Sequence, residues 1–242
     1  MIFKYNQLRR FFTELNQLGS TQTFKEWNGE SVFLVRHDVD FDIELAYNLA
    51  LIENEMNIKA TYFILTTCEN YNVLSESNRK FLRKIIALGH EVGLHFDPTI
   101  YNDKLEEVVE IESQLLSFVI GEKVRSISLH NPTSHGQYPM FDGYINAYSS
   151  ELFNDENYIS DSCFSFRGKQ PFNFLNNIKN GMVQILLHPM HFSENGDGYD
   201  VILTNNFIKQ MNNVHQGFYA VNETYRNQVG DLFLNTFKKN IQ

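Results

Sequence analysis

Ser31-Val32-Phe33-Leu34-Val35-Arg36-His37-Asp38-Val39-Asp40 is an apolar run that closes on two carboxylates. Val32 to Val35 reads as a strand. Side chains alternate along a strand, so Asp38 and Asp40 project from one face and His37 from the other. His37, beside Arg36, therefore reads as a packing residue or a support behind the site. Two acids held side by side repel unless a cation or a shared proton relieves them. The pair is thus a candidate metal ligand and general base, and the flanking chain can be searched for partners.

Outward from this stretch, strands and helices alternate. Apolar residues at helical spacing predict a helix over 5–18, ending at Gly19. Helices are also expected over 43–57, 78–88 (closed by Gly89) and 105–118, with strands at 59–65, 91–95 and 124–129. Weaker strand signals fall at 144–147 and 158–160. A short helix at 172–180 and a strong strand at 182–187 follow. A helix at 204–213 or beyond and a helical tail over 225–239, despite Gly230, complete the pattern. No repeat, low-complexity segment or linker divides the chain, so residues 1–242 are expected to form a single domain. The alternation argues for parallel βαβ units in an α/β barrel or doubly wound sheet, which carry their chemistry at the carboxyl ends of strands.

Asp and His residues fall at those ends. The first strand delivers Asp38 and Asp40, the strand at 91–95 delivers His95 and then Asp97, and the strand at 124–129 delivers His130. The strand at 182–187 delivers His188 and then His191. Any one of them reads equally as a capping or structural residue, but four strand ends together have a common reason only in a convergent site. His90-Glu91-Val92-Gly93-Leu94-His95 is not the zinc-protease HExxH helix: its histidines are five apart, about 140° around a helix. As a strand it puts Glu91, Gly93 and His95 on one face and His90 on the other. His95 is then the candidate ligand, Glu91 a support or structural residue, and His90 structural.

Composition bounds the function. The 242 residues carry a net charge of −9, which argues against a broad nucleic-acid surface. No apolar run approaches the ~20 residues of a membrane span, and the N-terminus lacks the apolar core of a signal peptide, so a cytoplasmic location is expected. Cys68 and Cys163 match no CxxC pattern and are expected to be reduced and mostly buried.

In chain order the motifs are HDVD (37–40), Ala60-Thr61-Tyr62-Phe63, GHEVGLH (89–95), LHNP (129–132) and LLHP (186–189). Their order and spacing over residues 31–192 resemble the polysaccharide deacetylase family, also called NodB-like or carbohydrate esterase family 4. The resemblance implies a distorted (β/α) barrel of seven or eight strands. It also implies a hydrolase that removes acetyl groups from N- or O-acetylated sugars with a divalent metal. On that pattern Asp38 is the catalytic base, Asp40 and His95 are metal ligands, and His188 is the catalytic acid. Two positions depart from it. The second metal-binding histidine, three residues after the first, is replaced by Pro98, and the middle loop lacks the arginine that holds the base. His130 is the simplest replacement ligand, giving Asp40-His95-His130, with Asp97 the alternative. Zinc accepts two histidines, a carboxylate and an open position, and nickel or cobalt are also suitable. Asp161 and His191 are candidates to orient His188 or bind sugar hydroxyls. Tyr101, Phe141, Tyr144 and Phe166 can stack on sugar rings or fill the core. The expected partner is an acetylated sugar or an intracellular glycan precursor. The competing readings are an amidase or deformylase on a small substrate, and an inactive carbohydrate-binding barrel that has lost its metal.

Overall fold

A computed structural model describes residues 2–240. Seven strands are all parallel, in the order β5-β4-β3-β2-β1-β7-β6. They are β1 (Phe33–Val39), β2 (Ala60–Leu65), β3 (Glu91–Phe96), β4 (Ser126–Leu129), β5 (Ile145–Asn146), β6 (Tyr158–Ser160) and β7 (Val183–Leu187). The four principal helices of this part are α1 (Tyr5–Leu18), α2 (Ile43–Glu55), α3 (Glu76–Ala87) and α4 (Leu105–Ile120). The Asp42 carboxylate caps α2 by accepting from the Glu44 N–H, so the chain turns into helix two residues after Asp40.

The sheet curls. In a flat sheet β1 and β4, three strands apart, would stand about 14 Å from each other. Yet Ser128 Oγ on β4 donates to Asp38 Oδ2 on β1 at 3.3 Å. Gln184 Nε2 on β7 reaches the carbonyls of Ala147 and Leu152, beyond β5, at 3.1 and 2.6 Å. β5 and β6 form the free edges, which makes the structure an incomplete, distorted barrel of the expected α/β kind.

One end of the barrel is plugged. Phe24, Leu34, Phe63, Ala147, Leu152 and Met182 pack inside it, separate from the larger core under the helices. The turn Phe24–Glu26 closes this end: the Lys25 N–H donates to Glu91 Oε2 at 2.8 Å, and Thr61 and Ser126 hydroxyls donate to the same carboxylate. Glu91 shares the face of His95 but sits about 13 Å lower on the strand, so it fastens the plug and does not support His95. A Cβ on Gly93 would lie 2.6 Å from Ser126 Oγ and 2.7 Å from the Phe63 ring, which explains the glycine between Glu91 and His95.

Several boundaries differ from the expected ones. β1 continues through Val39 because Arg36, His37 and Asp38 each find buried partners, a compensation that an apolar-run reading does not see. The segment at 172–180 is a helical turn, Pro171–Phe174, followed by a 3-10 stretch. His90 accepts from the Ala60 N–H and contacts the Ala50 carbonyl, and His37 bonds Glu53 beneath α2, so both face away from the barrel interior. Cys163 is exposed and Cys68 half-buried, against the expectation of buried thiols, and both are free.

Contacts divide the chain into two compact units, residues up to Gly196 and residues from Asp197. The second is helical: Tyr199–Val221, Glu223–Gln228 and Asp231–Asn240. The tail expected as one helix over 225–239 breaks at Gly230, which adopts φ 43°. No helix of the described residues is long and apolar enough to cross a membrane.

Candidate metal centre and acid–base site

The carboxyl ends of β1, β3, β4 and β7 converge. Asp38 is the penultimate residue of β1, and Asp40 follows the strand. His95 lies near the end of β3 and is buried. His130 follows β4, its N–H still bonded to the Phe96 carbonyl at 2.8 Å. Asn131 then takes a left-handed conformation, φ 46°, and Pro132 opens a short helical turn, so the LHNP sequence stops the strand at His130. Pro98 opens a 3-10 turn after β3 in the same way.

Three donor atoms meet. His95 Nε2 is 3.1 Å from Asp40 Oδ1, His130 Nδ1 is 3.6 Å from the same oxygen, and the two ring nitrogens are 3.2 Å apart. Donors around a tetrahedral zinc, at bond lengths of about 2.0–2.1 Å, stand about 3.3 Å from one another. Asp40 Oδ1 is buried and forms no hydrogen bond of acceptable geometry among the described residues. The outer ring atoms are held: His95 Nδ1 lies 3.2 Å from the Ser128 carbonyl, and His130 Nε2 2.9 Å from the Asn131 amide. Such partners fix which nitrogen faces inward. The donor set therefore fits a divalent cation. Burial works against the Asp40 charge, but His95, His130 and His188 outweigh it and hold the carboxyl well below its usual range. For His130 burial opposes the charged ring, and Asp40 outweighs it, raising its pKa.

Asp97, the alternative third ligand, is occupied elsewhere. Its Oδ1 accepts from the Thr99 N–H at 2.9 Å and the Thr99 hydroxyl at 2.6 Å, capping the turn that Pro98 begins.

Beside this trio stands a second one. His188 Nδ1 donates to Asp161 Oδ1 at 2.6 Å and His191 Nδ1 to Asp161 Oδ2 at 2.9 Å. The His188 backbone N–H also points at both carboxylate oxygens, at 3.1 Å each. Both oxygens of Asp161 are thereby engaged, by the two rings and by the His188 N–H, and the three side chains form a second group of ligand type. His188 Nε2 reaches to 3.8 Å from Asp40 Oδ2. Burial disfavours the His188 charge, but Asp161 outweighs it and pushes the ring up to about 9. Burial likewise opposes the Asp161 charge, and His188 and His191 bring it down to about 2.

The sign of this coupling gives a test. A histidine raised from 6.5 to about 9 stabilises the fold fully below pH 6.5 and loses that contribution as pH rises through about 9. The depressed Asp161 contributes above pH 3.8 and loses it as pH falls through about 2. A raise of that size is worth roughly 3 kcal/mol. In chelator-treated protein, Tm is expected to fall between pH 6.5 and 9.5. Asp161→Asn is expected to flatten that limb and return the His188 NMR titration toward its ordinary range. An unchanged His188 titration in the variant would refute the coupling.

Asp38, Asp40, His95 and His188 line a cleft of about 460 Å³. Tyr138, Tyr148, Phe153, Tyr158 and Phe166 supply its aromatic wall, and Lys169 Nζ pins that wall to the carbonyls of Asp155 and Tyr158. Of the aromatics expected to meet a sugar, Phe166 lines the cleft. Tyr101 stacks on Phe96, Phe141 is buried against the same ring, and Tyr144 donates to Glu110. Sequence reading missed Arg36. Its guanidinium is fully buried, with Nη2 3.3 Å from Asp38 Oδ2 and donating to the Tyr148 hydroxyl at 2.7 Å. Burial works against its charge, and Asp38 more than offsets this. The signal was present, since Arg36 shares the face of Asp38 in the strand alternation.

No family model and no curated protein matches the chain. Among solved structures it is similar to members of carbohydrate esterase family 4. One is a wild-type pseudoenzyme from Bacillus anthracis (15% identity over 74% of this chain and 62% of that one, TM-score 0.42). Another is a family 4 acetyl xylan esterase from Clostridium thermocellum in complex with a cobalt ion (15% identity, 65% and 73% covered, TM-score 0.41). A third is the peptidoglycan deacetylase PdaC from Bacillus subtilis (17% identity, 74% and 83% covered, TM-score 0.43). The chain thus spans under two thirds of the length of the first, at 62%. At these identities the likeness concerns the path of the backbone alone.

Proposed function

We propose that this chain is a divergent polysaccharide-deacetylase-type hydrolase that removes an acetyl group from an N- or O-acetylated sugar or glycan precursor. The observation that carries the reading is the pairing of two side-chain groups, each of which contributes to one cleft: Asp40, His95 and His130 at ligand spacing, and His188 bonded to Asp161.

Asp40, His95 and His130 would hold a divalent cation, zinc by donor type, with nickel or cobalt compatible. When bound, it supplies Lewis acidity toward a water and the acetyl carbonyl. Asp38 lies outside the ligand trio, 3.9 Å from His95, and lines the cleft, where it takes the proton of the attacking water. His188, kept charged at neutral pH by Asp161, gives a proton to the departing amine or alkoxide. The aromatic wall supplies flat apolar surfaces suited to sugar rings.

The test is acetate release from N-acetylglucosamine oligomers and acetylated xylan by the purified chain. Release that stops on chelation and returns with zinc is expected. Formate release from formylated small molecules with no acetate would favour the amidase or deformylase reading. Sugar binding with neither product nor bound metal would favour the inactive barrel.

A further inference from the structure

We propose that the plugged end of the barrel carries a glycan-binding site, built on Trp27 and the loop 151–157, which holds a ring of a neutral oligosaccharide. The site shares no lining residue with the cleft and does not rest on the proposed hydrolysis.

A pocket of about 270 Å³ opens there. Trp27 follows the turn that closes the plug, Met182 leads into β7, and Asn154 and Asn157 precede β6. The lining thus comes from the amino ends of the strands, whereas Asp38, Asp40 and His95 stand at or just past the carboxyl ends. The loop also sends Phe153 and Asp155 to the cleft, and it holds its own shape. Asn154 Oδ1 accepts from the Glu156 and Asn157 N–H groups at 3.0 and 3.1 Å, and Asn157 Oδ1 accepts from the Asn154 N–H at 3.0 Å. Asn177 Nδ2 donates to the Glu156 carbonyl at 2.7 Å, and the Gln184 N–H on β7 donates to the Asn157 carbonyl at 2.7 Å. The pocket wall is therefore formed before any ligand arrives, which spares the ordering cost of binding.

The groups left over suit a sugar. Asn154 and Asn157 spend their Oδ1 atoms on the loop, and their Nδ2 groups have no hydrogen-bond partner among the described residues. The carboxylates of Glu151 and Glu156 are likewise without a partner among the described residues. A sugar hydroxyl both donates and accepts, and the pocket offers it amide donors beside carboxylate acceptors. Trp27 adds a flat apolar surface. Its Nε1 donates to the Glu30 carbonyl at 3.0 Å and its ring packs against the plug, so the half-buried indole is fixed in place. Other ligand classes fit less well. No lysine, arginine or histidine lines the pocket, and its two carboxylates repel an anion. Nor do Glu151 and Glu156 meet a third histidine, cysteine or acidic ligand at metal spacing among the described residues.

Trp27 is the single tryptophan of the chain, so intrinsic fluorescence reports on this pocket. The test titrates chelator-treated, dialysed protein with chitotetraose, xylotetraose, trigalacturonate and calcium chloride. A saturable change in emission with at least one of the two neutral oligosaccharides is expected. Glu151→Ala and Glu156→Ala should each weaken that binding roughly threefold to tenfold, and the double variant further. Both side chains are exposed and unpaired among the described residues, so the variants are expected to keep the circular dichroism spectrum of the parent. Trp27 remains in all of them, so one readout serves throughout. An emission unmoved by both neutral oligosaccharides, or an affinity unchanged in the double variant, would overturn the inference. So would a response to trigalacturonate as strong as that to the neutral chains, or a response to calcium alone. Binding at Trp27 without acetate release would refute the proposed hydrolysis and leave this site standing; acetate release without a Trp27 response would do the reverse.

Discussion

Replacing Asp38 by asparagine is expected to lower kcat for acetate release by roughly 10³-fold, the middle of the range for loss of a general base. Zinc affinity should stay within a few-fold of the parent. The two halves of this expectation have separate causes. Asp38 offers its oxygens to Arg36, Ser128 and the cleft, while the ligand spacing belongs to Asp40, His95 and His130. Asparagine keeps the shape and can still receive the Ser128 hydroxyl, but it cannot take up a proton. It also leaves the buried Arg36 without its counter-charge, so the variant should melt lower than the parent. Folded fraction and zinc content must therefore be measured beside kcat. A folded, zinc-loaded variant that keeps its rate within a factor of a few would show that Asp38 is not the base.

His130→Ala is expected to weaken zinc binding by on the order of 10³-fold, more than the 10–100-fold typical of losing a group that only orients a ligand. Two ligands, Asp40 and His95, then remain on an ion that prefers three or four protein donors. Asp97→Ala is the matched control: it removes the cap on Thr99 and should leave zinc affinity within a few-fold. Titration with zinc by calorimetry distinguishes the two. If Asp97→Ala is the damaging change and His130→Ala is silent, the coordination has been assigned to the wrong side chain.

The alternation of β-branched and aromatic runs with helical spacing was enough to place β1, β2, β3 and β7, because these strands are buried on both faces and read as continuous apolar runs. The residues at their carboxyl ends followed from that. Less legible was the curl of the sheet, which depends on contacts such as Gln184 to Leu152 between segments far apart in sequence. Arg36 shows the same limit. Strand alternation puts it beside Asp38, but its second partner, Tyr148, lies 112 residues away after the two-residue strand β5. The cleft wall between His130 and Lys169 is mostly irregular, so no periodic pattern marks Tyr138, Phe153 or Tyr158 as its lining. Asp161 carries no motif of its own; of the two roles the sequence left open for it, orienting His188 or binding sugar hydroxyls, the meeting of His188 and His191 on its two oxygens matches the first.

The central claim is that His130 completes a metal centre in place of the histidine that Pro98 replaces. A crystal structure of zinc-soaked protein, with anomalous scattering recorded at the zinc edge, tests it most directly. One ion is expected within about 2.0–2.2 Å of Asp40 Oδ1, His95 Nε2 and His130 Nδ1, with a position open toward Asp38 and the cleft. An ion held by Asp97, an ion bound instead by Asp161, His188 and His191, or no ion at saturating zinc would contradict it.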